Sequence, residues 1–124
     1  MVRRLARHTS STFILLIGFV ISCVDHDFPA PTVECSTVDE ISYELQIRQI
    51  ISANCSITGC HDGTLGAEKN WNIPTALQNN SDEVKRRVTL PETDNQKMPL
   101  TGSISQQQIT LLVCWVEQGA SINN

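Results

Sequence analysis

Large apolar anchors are scarce in this sequence. Beyond position 30 the only aromatic residues are Tyr43, Trp71 and Trp115, and the only methionine is Met98. A domain of about 80 residues with so few is expected to have a thin core, held with the help of a disulfide, a metal or a buried cofactor. Long hydrophobic runs are missing too. Phe13–Ile21 is the most apolar stretch and has roughly half the ~20 residues of a membrane-spanning helix. No segment alternates convincingly with a period of two, which speaks against a β-sheet. Basic residues also run short: Arg3, Arg4 and Arg7 are three of the nine, and they precede all 13 acidic residues. From Cys23 onward six basic residues face those 13, a net charge of −7. Such a surface argues against nucleic acid, which selects basic patches. It suits a partner with a positive docking face, although a merely solvated acidic surface explains it equally well. Neither an internal repeat nor a low-complexity tract is visible.

The beginning of the chain reads as a targeting segment. Three arginines, the apolar run and then Val20-Ile21-Ser22-Cys23 give the order of a bacterial lipoprotein signal, with a small residue before the cysteine. Residues 1–22 are expected to be removed and Cys23 to carry lipid, which implies an exported protein anchored to a membrane and facing the periplasm or the cell surface. The plainer alternative is an ordinary cleaved signal peptide, with Cys23 one thiol among others. Residues 23–35 contain Asp25, Asp27, Pro29, Pro31 and Glu34 without apolar period and read as an acidic tether. The domain proper is expected over 36–124.

Helical signals fill that domain. Ser36 and Thr37 each have an acidic residue three places on, Asp39 and Glu40, so a first helix is expected to begin there. Tyr43, Ile47, Ile50 and Ile51 form its apolar stripe, running to about Asn54. Pro74 is placed to start a short helix through Ala76 and Leu77, and Ser81 to cap another bearing Val84 and Val88. Leu90–Thr101, with Pro91 and Pro99, reads as a loop. Ser105 and Gln108 make a capping box for a last helix with the stripe Ile109, Leu112, Val113, Val116, and Gly119 is its stop. The fold class read from these signals is all-α.

Cys55-Ser-Ile-Thr-Gly-Cys60-His61 follows the first helix directly. Two cysteines with a histidine immediately after the second is the arrangement that attaches haem c. Each thiol adds across one haem vinyl group to give a thioether, and the adjacent imidazole reaches the iron. The spacer here has four residues where two are usual, so the extra pair has to bulge, and Gly59 makes such a loop easier. Two other readings stay open at this point. Cys55 and Cys60 can pair as a disulfide, or Cys55, Cys60 and His61, with Asp62 or His26, can bind zinc. Met98 bears on the choice. It sits in Lys97-Met98-Pro99, among polar neighbours and on no helical stripe, and a thioether on a loop is a suitable sixth ligand for haem iron.

Taken in order, the apolar helix ending in Cys55–His61, then Met98-Pro99 with Gly102, then Ile109-x-x-Leu112-x-x-Trp115-Val116-x-x-Gly119-Ala120 resemble the small monohaem cytochrome c domains of class I. The resemblance covers about Tyr43 to Ala120 and departs from the family in its longer cysteine spacer. It implies a small helical domain wrapped around one covalent haem, with Cys55 and Cys60 as thioether anchors and His61 and Met98 as axial iron ligands. The first and last helices would cross near Trp115, over Ile47 and Ile51. With both axial positions filled, the implied work is electron transfer to redox partner proteins, not catalysis. A non-haem structural or binding lipoprotein, held by disulfides or a metal, is the rival. The resemblance does not settle the roles of Trp71, Arg86 and Arg87, each of which can donate to a haem propionate, with a solvated role the blander option for both arginines.

With Cys23 assigned to lipid and Cys55 and Cys60 to haem, Cys35 and Cys114 are left as a possible disulfide. At 100° per residue Cys114 falls off the last helix's stripe, beside Leu111, where the segment entering the first helix can cross. The alternative is a buried Cys114 thiol with Cys35 free or paired between molecules.

Overall fold

The protein is described by a computed structural model over residues 32–124. The expected signal peptide, Cys23, His26 and residues 23–31 of the expected tether lie outside the described residues. Four α-helices form the described part: α1 Arg48–Asn54, α2 Pro74–Asn79, α3 Ser81–Val88 and α4 Gln106–Glu117. A widened π turn, Tyr43–Ile47, leads into α1, and a single 3₁₀ turn, Ala67–Lys69, precedes α2. No strand occurs among the described residues, so the fold is all-α. No helix there is long and apolar enough to cross a membrane.

The first helix begins later than the capping signals suggest. Ser36 and Thr37 lie in a turn closed by Val38 N–H to the Cys35 carbonyl, and Ser42 is the actual N-cap, its hydroxyl accepting from Leu45 N–H. The reason is a long-range competitor. Ile41 N–H donates to Gln118 Oε1, Gln118 Nε2 to the Asp39 carbonyl, and Asn124 Nδ2 to the Ile41 carbonyl. Tyr43 N–H reaches Asn124 Oδ1. Backbone groups of residues 39–43 that a helix would have satisfied are met instead by the end of the chain, so this segment stays out of the helix. The wide turn follows, with Ile47 N–H bonded to the Ser42 carbonyl five residues back.

The later helices start nearer their signals. Pro74 takes the first turn of α2, where its missing N–H costs nothing. Ser81 is the first residue of α3, not its cap. Asn80 precedes it, with its amide turned back to the Glu68 and Ala76 carbonyls. In α4 both halves of the Ser105–Gln108 capping box are made, and Gly119, at φ +95°, ends the helix in the conformation that glycine tolerates best.

Tyr43, Ile47, Ile50 and Ile51 are all buried and pack with Val84 and Val88 of α3 and Ile109, Leu112 and Val113 of α4 in one cluster. Trp115 lies 6.2 Å from Tyr43 between ring centroids and donates from Nε1 to the Ser121 carbonyl. Val116, expected on the stripe, is only half-buried, whereas Cys114 behind it is fully buried. Cys114 is covered because it forms a disulfide with Cys35, with Cα atoms 5.3 Å apart. Val33 and Cys35 pack against the cluster, so the packed chain reaches into the stretch expected to be tether.

Candidate functional site

The helix α1 ends at Cys55, whose N–H still bonds to the Ile51 carbonyl at 2.8 Å. The next residues fold back on that end. Cys60 N–H bonds to the Ile57 carbonyl and His61 N–H to the Cys55 carbonyl at 3.1 Å, so the longer spacer bulges and returns His61 beside Cys55. Gly59 turns the bulge at φ +81°. Asp62 pins it, accepting from Gly59 N–H, Thr64 N–H and the Thr64 hydroxyl. The Thr64 bonds hold the Asp62 carboxyl below its ordinary range.

Three contacts fix His61. Its Nδ1 lies 3.2 Å from the Lys69 carbonyl, which can only accept, so Nδ1 carries the proton and Nε2 keeps a free lone pair. Its ring stacks on Trp71 with centroids 3.5 Å apart and planes 8° from parallel. Its carbonyl accepts from Trp71 N–H at 2.9 Å. Burial outweighs the Lys69 bond and pushes the His61 pKa below the ordinary imidazole value, which favours the neutral form that ligates metals.

Cys55 and Cys60 are free thiols, not joined to each other. Burial, helped by the nearby Cys60, pushes Cys55 up to about 12. This shift is opposite in direction to the one that marks a cysteine kept as thiolate at neutral pH. Among the described residues no three His, Cys, Asp or Glu side chains converge as a metal-binding group.

Met98 reaches the same place from the other side. Its N–H donates to the Arg87 carbonyl at 3.2 Å, at the end of α3. Next to it Lys97, 10% exposed, donates from Nζ to the Val88 and Leu90 carbonyls and pairs with Glu92. Glu83 binds both Arg86 and Arg87, and these two donate to the Gln96 side chain and carbonyl. Both arginines considered for haem propionates are therefore engaged in fastening the methionine loop to α3. The Glu83 carboxyl is drawn down to about 2, chiefly by its bond to Arg86 and then by that to Arg87.

Cys55, Cys60, His61 and Met98 all line one cavity of about 220 Å³. Ile57, Leu65, Trp71, Pro99 and Leu100 complete an almost wholly apolar wall. Ile57, Leu65 and Leu100 are 40%, 53% and 70% exposed, an apolar rim that none of the described residues covers. Trp71 Nε1 is buried and has no hydrogen-bond partner among the described residues. The four candidate residues that share this cavity were singled out by the sequence; the rim, Lys97 and the part played by Glu83 were not. The one available signal was Glu83 standing three and four residues before Arg86 and Arg87, the spacing of helical ion pairs. Comparison of the chain with protein-family models, with curated proteins and with solved structures returned no match.

Proposed function

We propose that this chain is an exported, lipid-anchored carrier of single electrons that holds one haem c. The carrying observation is that Cys55, Cys60, His61 and Met98, from two segments far apart in sequence, line one apolar cleft. The residues present fit the group. His61 donates Nδ1–H to a backbone carbonyl and keeps Nε2 free, the usual outer bond of a metal-ligating histidine. The apolar rim and the unpartnered Trp71 Nε1–H suit a large, mostly apolar ligand that brings its own acceptors.

In this reading Cys55 and Cys60 would hold the group through thioether links, and His61 Nε2 and the Met98 thioether would ligate its iron. When bound, haem supplies a one-electron couple at its iron, at a potential that methionine ligation raises. Ile57, Leu65 and Leu100 offer the apolar edges against which such a group would pack. With both His61 and Met98 ligating, oxygen or peroxide would have no free place at the iron, which favours electron transfer over catalysis. The acidic chain suits redox partners with a positive docking face, and lipid on Cys23 keeps the domain at a membrane surface.

The test is the full chain expressed with a haem-attachment system. Soret and α bands should appear, survive acid extraction of the denatured protein, and match one haem of added mass. Colour that solvent strips away, or covalent haem persisting in a C55A/C60A variant, sinks the proposal.

A further inference from the structure

We infer that Trp71 is a positioning residue, whose indole face sets the plane in which the His61 imidazole is presented to the cleft; this rests on His61 being an iron ligand. A single hydrogen bond from Nδ1 to the Lys69 carbonyl fixes one ring atom but leaves the ring free to pivot about that bond. The indole, 3.5 Å away and 8° from parallel, removes that freedom, since any pivot drives the imidazole edge into its face. The two residues are also joined through backbone, Trp71 N–H to the His61 carbonyl, so they move as one unit. Trp71 belongs to the buried cluster that includes α1 and α4 residues, whereas His61 sits on the loop beyond α1. The core thus transmits its rigidity to the imidazole through an aromatic face.

The indole's other property argues in the same direction. Its Nε1–H is buried and finds no partner among the described residues, a liability that phenylalanine or leucine would not bring to the position. What the side chain supplies in return is a broad flat surface against His61. A ligand ring held in one orientation gives the ferric iron one electronic environment, while a ring free to rotate gives several.

Wild type, W71F and W71L, each produced with haem attached, separate the possibilities by ferric electron paramagnetic resonance and by reduction potential. Wild type and W71F should each show one low-spin species with closely similar g-values. W71L should show a broadened or split signal and a shifted potential. Should W71L not fold, W71M takes its place, filling volume without a flat face. A leucine or methionine variant indistinguishable from wild type overturns the inference. So does W71F behaving like W71L, because phenylalanine keeps a face and lacks only the donor, and that outcome assigns Trp71 to a hydrogen bond instead. If wild type takes up no haem, the functional reading fails, and proton NMR of the same full chain decides the stack. Upfield His61 ring protons in wild type and W71F, ordinary in W71L, support it; ordinary shifts in wild type overturn it.

Discussion

Removing the Cys35–Cys114 bridge should cost this domain a large part of its stability. The cleanest perturbation is Cys35→Ala, because Cys35 is half-buried whereas Cys114 is fully buried and tolerates a thiol as a small apolar group. The bridge joins residues 79 apart. Chain-entropy reasoning for a closed loop of about 80 residues gives about 4.5 kcal/mol at room temperature. Haem thioethers at Cys55 and Cys60 would close only a short loop inside that span, so they duplicate little of the constraint. Loss of Cys35 packing adds a contribution on the order of one buried methylene, ~0.8 kcal/mol, and residual compactness of the unfolded chain subtracts some of the total. The expected loss is therefore about 3–5 kcal/mol, against a total of about 5–15 kcal/mol for ordinary domains. At roughly 4–8 °C per kcal/mol, the melting temperature should fall by about 12 °C or more. Urea titration followed by circular dichroism should give a lower midpoint and a steeper slope, since the unbridged unfolded chain exposes more surface. Reductant should bring wild type down to the variant and leave the variant unchanged. A loss below about 1 kcal/mol, well short of the loop-closure figure, would refute the reasoning. So would two free thiols in unfolded, unreduced protein with haem on Cys55 and Cys60.

Met98→Ala should abolish the weak far-red band of sulfur-ligated ferric haem, lower the potential and let the reduced iron bind carbon monoxide; an unchanged spectrum would falsify the assignment of the sixth ligand. The Glu83 carboxyl is drawn from its ordinary 4.5 down to about 2 in the folded protein, so the stability it contributes is full above pH 4.5 and is lost as pH falls toward 2, while its grip on Arg86 and Arg87 in the folded state gives way only near pH 2. The far-red band of folded wild type should therefore hold until pH approaches 2, and E83Q should show a weakened band already at neutral pH. Lys97→Met keeps the stem but leaves the Val88 and Leu90 carbonyls without their donor, which should cost about 1–3 kcal/mol in urea titration and diminish the same band. Cys23→Ser should move the protein from membranes to the soluble exported fraction or leave it unprocessed, and equal membrane association in the variant would require some other anchor.

The parts of this fold that could be read from sequence are those whose partners lie within one helical turn. The capping box of α4 is complete in Ser105 and Gln108, so that helix begins where the pattern places it. The stripe Tyr43, Ile47, Ile50, Ile51 is buried as its spacing requires. Ser36 and Thr37 carried an equally good local signal and do not start a helix. What outweighs it is Gln118 and Asn124, some 80 residues away, taking the hydrogen bonds of residues 39–43. Local capping is worth about 1 kcal/mol, and several long-range backbone bonds together exceed that. The widened turn at Tyr43–Ile47 is another product of the same competition and has no sequence signature of its own.

The site divides in the same way. Cys55, Cys60, His61 and Met98 were legible because each is a rare residue in a short motif. The rim of Ile57, Leu65 and Leu100 was not, because these residues sit in loops where apolar spacing has no period to follow. The geometry also depends on fastenings that no motif records. Among the described residues no hydrogen bond joins the cysteine loop to the methionine loop; each is tied to the end of its own helix. His61 N–H reaches the Cys55 carbonyl where α1 ends, and Met98 N–H reaches the Arg87 carbonyl where α3 ends. The distance between the two candidate ligands is therefore set by how α3 and the turn leading into α1 each pack on α4, in the shared core that holds Ile50, Ile51, Val84 and Val88. A thin core has to hold that distance without a direct tie between the loops. That places a premium on the two devices found here, the bridge from Cys35 to α4 and the Lys97 side chain closed over the end of α3. Both act away from the cleft, and both leave its apolar mouth open.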